Sequence, residues 1–272
     1  MLATKKDLPA IRTSSFFIDY APLVGLWLLI LLVLFPSFTG FIGHPHGDMI
    51  DHVWVSWWWG EEVLSGRYPL HNNSSHMPEG QIIWQIDFIG SIVLLILRPL
   101  GPLLAWNLLI WLQMCFVATA TYSLGRYLFQ NWRIAVVMAG FVSLSPYVLS
   151  LLHSGLSEYF GVGWLVLLVL AKLKHEQNGA WKPVAVYLGL CTVQAFYYGL
   201  FGGLLLLCFG RWTRRAMRDT LRMLISGYVL ALPVVALFFW NFISLGDDVQ
   251  KASPGWDYRH LPATDLFSWF HP

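Results

Sequence analysis

Between His44 and Glu62 the chain reads HPHGDMIDHVWVSWWWGEE, gathering three histidines, four acidic residues and four tryptophans in nineteen positions. Carboxylates and imidazoles this close together can take a proton from an attacking hydroxyl or hold a divalent cation. Asp48 and Asp51 stand three apart, which on a helix places them one turn apart on one side, where either could act as a general base. His44 and His46, with those aspartates, form a candidate divalent-metal set, although the spacing matches no dedicated site. A plainer alternative uses the same residues: Asp48 as a helix N-cap, Asp51 as a first-turn acid, and tryptophans as anchors at a membrane interface.

Two other stretches carry reactive side chains. HSGLSEY holds His153 and Glu158, and SPGWDYRHLPATDLFSWFHP holds Asp257, Arg259 and His260. Arg259 and His260 could neutralise a phosphate, or could pair with nearby aspartates. The overlapping glycosylation sequons of NNSS, from Asn72 to Ser75, give no functional direction here.

The elements that must position these residues are apolar helices. The chain is 57% hydrophobic and 12% charged, with several apolar runs near the roughly 20 residues that cross a bilayer as helix. This composition predicts an all-α, polytopic membrane protein. A net charge of +2 gives no electrostatic argument for nucleic acid. Cys115, Cys191 and Cys208 lie inside apolar runs without CxxC spacing, so neither a disulfide framework nor a zinc site is indicated.

The expected spans are 20–41, 103–124, 134–152, 159–173, 184–197, 200–209 and 221–243, about seven transmembrane helices. The ten-residue run 88–97, bracketed by Asp87 and Arg98, reads as interfacial or re-entrant. With a hairpin at Phe196–Gly199, this arrangement puts 13 of the 17 basic residues on the cytoplasmic side, including Lys5, Lys6 and Arg12 ahead of the first span. Treating 88–97 as a span leaves only 6 inside, and merging 184–209 into one helix leaves 10, so both are rejected.

The result is one transmembrane domain over 1–272 with two outer loops, 42–102 and 246–272. The outer face then holds 11 of the 15 acidic residues. After Gly47, the segment DMIDHVWVSWWWGEEVLSG has Ile50, Val53, Trp54, Trp57, Trp58 and Leu64 at helical spacing, which predicts an amphipathic juxtamembrane helix in the first outer loop.

This layout resembles the glycosyltransferase C superfamily of integral-membrane enzymes: a first span, an outer loop that opens on an acidic motif (here GDMIDH), then many further spans. LSGRYPLHNNSSHMPEG, AWNLLIWLQMCFVATATYSLGRYL and LPATDLFSWFHP are similar pieces, each a loose motif. The resemblance implies inverting transfer of a sugar from a polyprenyl-phosphate donor to a glycan, lipid or protein acceptor at the extracytoplasmic face. It assigns the catalytic carboxylate to Asp48, with Asp51 second, and a possible divalent metal as cofactor. Arg259 and His260, with Arg67 as a further candidate, would stabilise the departing lipid phosphate.

The resemblance also implies a location in a bacterial inner membrane. Relatives continue into more spans and a soluble domain, so a chain stopping at Pro272 is expected to be the N-terminal portion. A non-catalytic transporter or lipid-binding protein, or an inactive fragment of a transferase, is the alternative. A transporter would be expected to place ionisable residues within its spans, where the chain shows instead uncharged Asn107, Gln113, Gln194 and Asn241.

Overall fold

The computed structural model describes residues 16–35, 39–43, 49–67, 71–72, 81–82, 87–155, 157, 161–209 and 213–252. It does so without the side chains of 16–19, 51, 71–72, 81–82, 154, 238 and 240–252. The architecture is helical: α1 (Phe16–Leu34), α2 (Met49–Leu64), α3 (Phe88–Leu97), α4 (Pro102–Phe129), α5 (Trp132–Ser143), α6 (Pro146–Ser154), α7 (Val162–Asn178), α8 (Lys182–Gln194), α9 (Phe196–Cys208) and α10 (Arg214–Ala252). One antiparallel pair, β1 (His71–Asn72) with β2 (Gln81–Ile82), interrupts it between α2 and α3.

Among the described residues, three helical stretches are long and apolar enough to cross a membrane: Pro102–Phe129, Trp132–His153 and Arg214–Leu237. The helices over 20–34, 88–100 and 196–208 are apolar but shorter. Large apolar side chains point outward along them, among them Leu32, Ile96, Val137, Phe141 and Leu200. Water would penalise such surface, whereas hydrocarbon does not.

The helix directions alternate. Trp27 O accepts from the indole of Trp111 and Tyr20 faces Tyr122, so α1 and α4 are antiparallel. The turn at Gln130 sends α5 back along α4, where Gly125 lets the Ala135 backbone approach closely. Phe116 meets Trp164 and Tyr127 donates to Leu173 O, so α7 runs parallel to α4. The α8–α9 pair is a hairpin, since Gly199 packs on Thr192 and Gly202 on Leu188. Its reversal lies at Ala195, one residue in extended conformation, slightly ahead of the expected turn at Phe196–Gly199. A single long helix over 184–209 is thereby excluded.

The expected span 134–152 is broken. Ser145 caps α6 by accepting from Val148 N, and Pro146 occupies its first turn. Proline has no N–H to donate and crowds the carbonyl four residues back, so α5 ends at Ser143.

Two apolar clusters result. One joins α1, α3, α4, α5 and α6 around Trp106, Ile30 and Met114. The other joins α7, α8, α9 and α10 around Leu168, Leu188 and Met223.

Candidate functional site

The candidate site around 44–48 begins where α1 ends. Ile42 N donates to Asn107 Oδ1 at 2.9 Å, Trp106 Nε1 donates to Ile42 O at 2.9 Å, and Asn107 Nδ2 donates to Gly40 O at 2.8 Å. Asn107 and Trp106 are wholly buried near the start of α4, so these bonds are shielded from water and pin the backbone entering 44–48. On the exit side Met49, the first residue of α2, is buried.

Met49 packs into a notch made by two glycines, Gly43 and Gly155. Gly155 has φ +74° and ends α6, and a Cβ there would collide with Met49. Both ends of 44–48 are therefore held against the 153–155 turn. The 43–49 segment thus meets the end of α6, next to His153. His153 itself is exposed at the end of α6.

Asp48, His44, His46, Glu158, Asp257, Arg259 and His260, and the side chain of Asp51, lie outside the described residues. Among the described residues no group of three or more His, Cys, Asp or Glu is arranged to hold a metal ion.

Arg67 is described, and it faces another way. Its Nε and Nη2 donate to the two carboxylate oxygens of Glu62 at 2.7 and 2.8 Å, a bidentate pair at the exposed end of α2. The Arg67 guanidinium holds the Glu62 carboxyl below the ordinary glutamate range, and the same bond pushes Arg67 up. Glu62 is thirteen residues from Met49, about 20 Å along a helix, so Arg67 stands at the opposite end of α2 from Met49.

α2 has a divided apolar surface where the sequence pattern predicts one apolar side. Met49, Ser56, Trp59 and Gly60 are buried and Val53 and Trp57 pack on the core, whereas Ile50, Trp54 and Leu64 are exposed. α3 accounts for the division. Ser91 Oγ donates to Ser56 Oγ at 3.2 Å, Phe88 meets Trp59 edge-on, and Arg98 pairs with Glu61 while its guanidinium lies 4.8 Å from the Trp57 ring.

One buried carboxylate emerges that sequence reasoning treated only as a boundary. Asp87 is 1% exposed and caps α3. Its Oδ1 accepts from Gly90 N at 2.6 Å and from Gln194 Nε2 at 2.7 Å, and its Oδ2 accepts from Gln113 Nε2 at 3.0 Å. Gly90 makes room for it, since a Cβ there would strike the carboxylate.

Gln113 lies about 17 Å along α4, a helix of about 42 Å, so Asp87, where α3 begins and α8 ends, sits far from either end of α4. α3 climbs from this point back to the start of α4, which makes it re-entrant in shape. The Gln194 bond links α3 in the first apolar cluster to α8 in the second, and Gly161 packs on Gln194 and Tyr198. The signal was present in the sequence: an acid directly before an apolar run, a glycine three residues on, and two glutamines isolated in apolar runs.

No family model, no curated protein and no solved structure matches this chain.

Proposed function

We propose that the chain is a membrane glycosyltransferase, or the N-terminal portion of one, with seven passes, a cytoplasmic N-terminus and its reactive loops on the extracytoplasmic face of a bacterial inner membrane. The observation that carries this reading is the Gly43–Met49–Gly155 contact. It holds both ends of the acidic loop against the turn that leads to Glu158. Seven alternating helical runs (α1, α4, α5–α6, α7, α8, α9, α10) support the pass count. In this reading the ends of α1 and α6 share one face and the arginines of α10 lie at the other.

In this reading Asp48 accepts the proton of the acceptor hydroxyl as its oxygen forms the new bond to the anomeric carbon. The bond from that carbon to the lipid phosphate breaks, and its electron pair leaves with the phosphate. Asp51 supports the base. Arg259 and His260 offset the charge that develops on the phosphate, and a divalent ion, if bound, would be held by His44 and His46 and would add positive charge there. The fixed flanks at Gly43 and Met49 support this reading, because a preorganised site needs little reorganisation at the transition state.

The direct test is Asp48→Asn in native membranes. Transfer from a polyprenyl-phosphate sugar should fall by at least about a hundredfold, with the folded yield unchanged. Undiminished transfer would remove Asp48 as the base.

One observation favours the transporter alternative, the buried Asp87, because an ionisable group among apolar helices is a common mark of an ion path. Here three N–H donors converge on the carboxylate as they would on a structural cap. Proton uptake into proteoliposomes that depends on Asp87 would reverse the preference.

A further inference from the structure

We propose that the N-terminal end of α10 binds one acidic phospholipid along its outward face. This rests on α10 crossing the membrane with Arg214 on the cytoplasmic side, and it is independent of the transfer chemistry. Arg214, Arg215, Arg218 and Arg222 are all exposed. At 100° per residue they fall within one arc of about 100°. The bundle lies on the other side of the helix, where Thr220, Met223 and Ala231 are buried and Gly227 packs on Leu188.

The placement runs against the helix dipole. Cations are disfavoured at a helix N-terminus, and the first turn of α10 has no acidic residue to offset them. No ion pair between described residues involves any of the four arginines. Asp219, the nearest acid in sequence, turns about 40° beyond the edge of the arc. Thr213 caps the helix by accepting from Ala216 N, so the anion site is made by the four guanidiniums, with no carboxylate in their arc.

The same face identifies the anion's source. Directly above the arginines the outward residues are Leu221, Ile225, Val229 and Leu232, each more than half exposed. From Arg218 to Val229 is about 17 Å, close to the depth of one leaflet's hydrocarbon at about 15 Å. A cationic base under an apolar strip of that length matches a phosphate headgroup and its acyl chain. Trp181, at the start of α8, lies 4.0 Å beneath the Arg222 guanidinium, and tryptophan marks the headgroup level. The geometry thus favours lipid phosphate over phosphate free in solution.

The test uses the full chain in detergent, offered equal amounts of phosphatidylglycerol and phosphatidylcholine with matched chains, with retained lipid read by native mass spectrometry. Phosphatidylglycerol should be retained about tenfold or more over phosphatidylcholine, and excess inorganic phosphate should not displace it. R214Q/R215Q/R218Q should abolish the preference. If that variant does not insert, R214K/R215K/R218K keeps the charge but loses the planar donor fork, and should lower the preference by about threefold or more. Equal retention of both lipids by the wild type, an unchanged preference in the variant that inserts, or displacement by inorganic phosphate would overturn the proposal. The membrane placement is checked separately by alkaline carbonate: a chain that leaves the membrane pellet refutes the placement rather than the lipid site.

Discussion

Asp87 shows how much one side chain can organise. It stabilises the first turn of α3, occupies the amides of Gln113 and Gln194, and adds a polar link between two apolar clusters that also meet where Phe116 of α4 packs on Trp164 of α7. Asp87→Ala would leave the buried Gln194 amide and the half-buried Gln113 amide without their acceptor, so it should destabilise the fold by about 2–4 kcal/mol. Asp87→Asn keeps an acceptor for Gly90 and should cost roughly half as much. Thermal unfolding in detergent would measure both, and equal effects would refute the cap-and-bridge role. At the exposed end of α2, Arg67 lowers the Glu62 carboxyl. That pair contributes to stability above the ordinary glutamate range, and the contribution is lost as pH falls through the lowered folded value. Solvent on the pair keeps the effect small. Carbon NMR should show the Glu62 midpoint rising toward the ordinary value in Arg67→Gln. Asp87 was visible in the sequence as an acid next to an apolar run, but its partners lie 26 and 107 residues away, and only the packing of α4 and α8 brings them to it.

At the scale of elements, apolar periodicity made most helices readable, and the run 88–97 coincides with α3. Local chemistry changed the remainder. Pro146 and its Ser145 cap divide an apolar run that hydropathy alone treats as continuous. The reversal at Ala195 needs one extended residue, a signal too short for any periodic pattern. The two apolar surfaces of α2 overlap in projection, so spacing could not separate the residues that meet α3 from those left exposed. The Gly43–Met49–Gly155 notch is likewise a contact between distant glycines. Gly155→Ala would strain a backbone at φ +74° and displace Met49, for about 1–3 kcal/mol of stability and a clear loss of transfer. Met49→Ala should not rescue it, because the collision reaches the Cβ and backbone of residue 49. Rescue would place the clash in the flexible end of the Met49 side chain.

At the scale of the whole molecule, α1, α5–α6, α8 and α10 run one way and α4, α7 and α9 the other, and the proposed orientation puts the end of α9 at the cytoplasmic face. Cys208 provides a native probe, because it is exposed at the end of α9 while Cys115 and Cys191 are buried. A membrane-impermeant thiol reagent should label Cys208 in inside-out vesicles and leave it unlabelled in right-side-out vesicles, and the reverse pattern would invert the topology. Orientation in turn decides which side a lipid-linked donor must approach. The most direct test of the account is donor consumption in right-side-out membranes carrying either the wild-type chain or Asp48→Asn, supplied with labelled polyprenyl-phosphate sugars. The account predicts that the wild type transfers the label to an acceptor and the variant does not, at equal folded protein. Equal donor consumption by the two would contradict a catalytic carboxylate in the pinned outer loop.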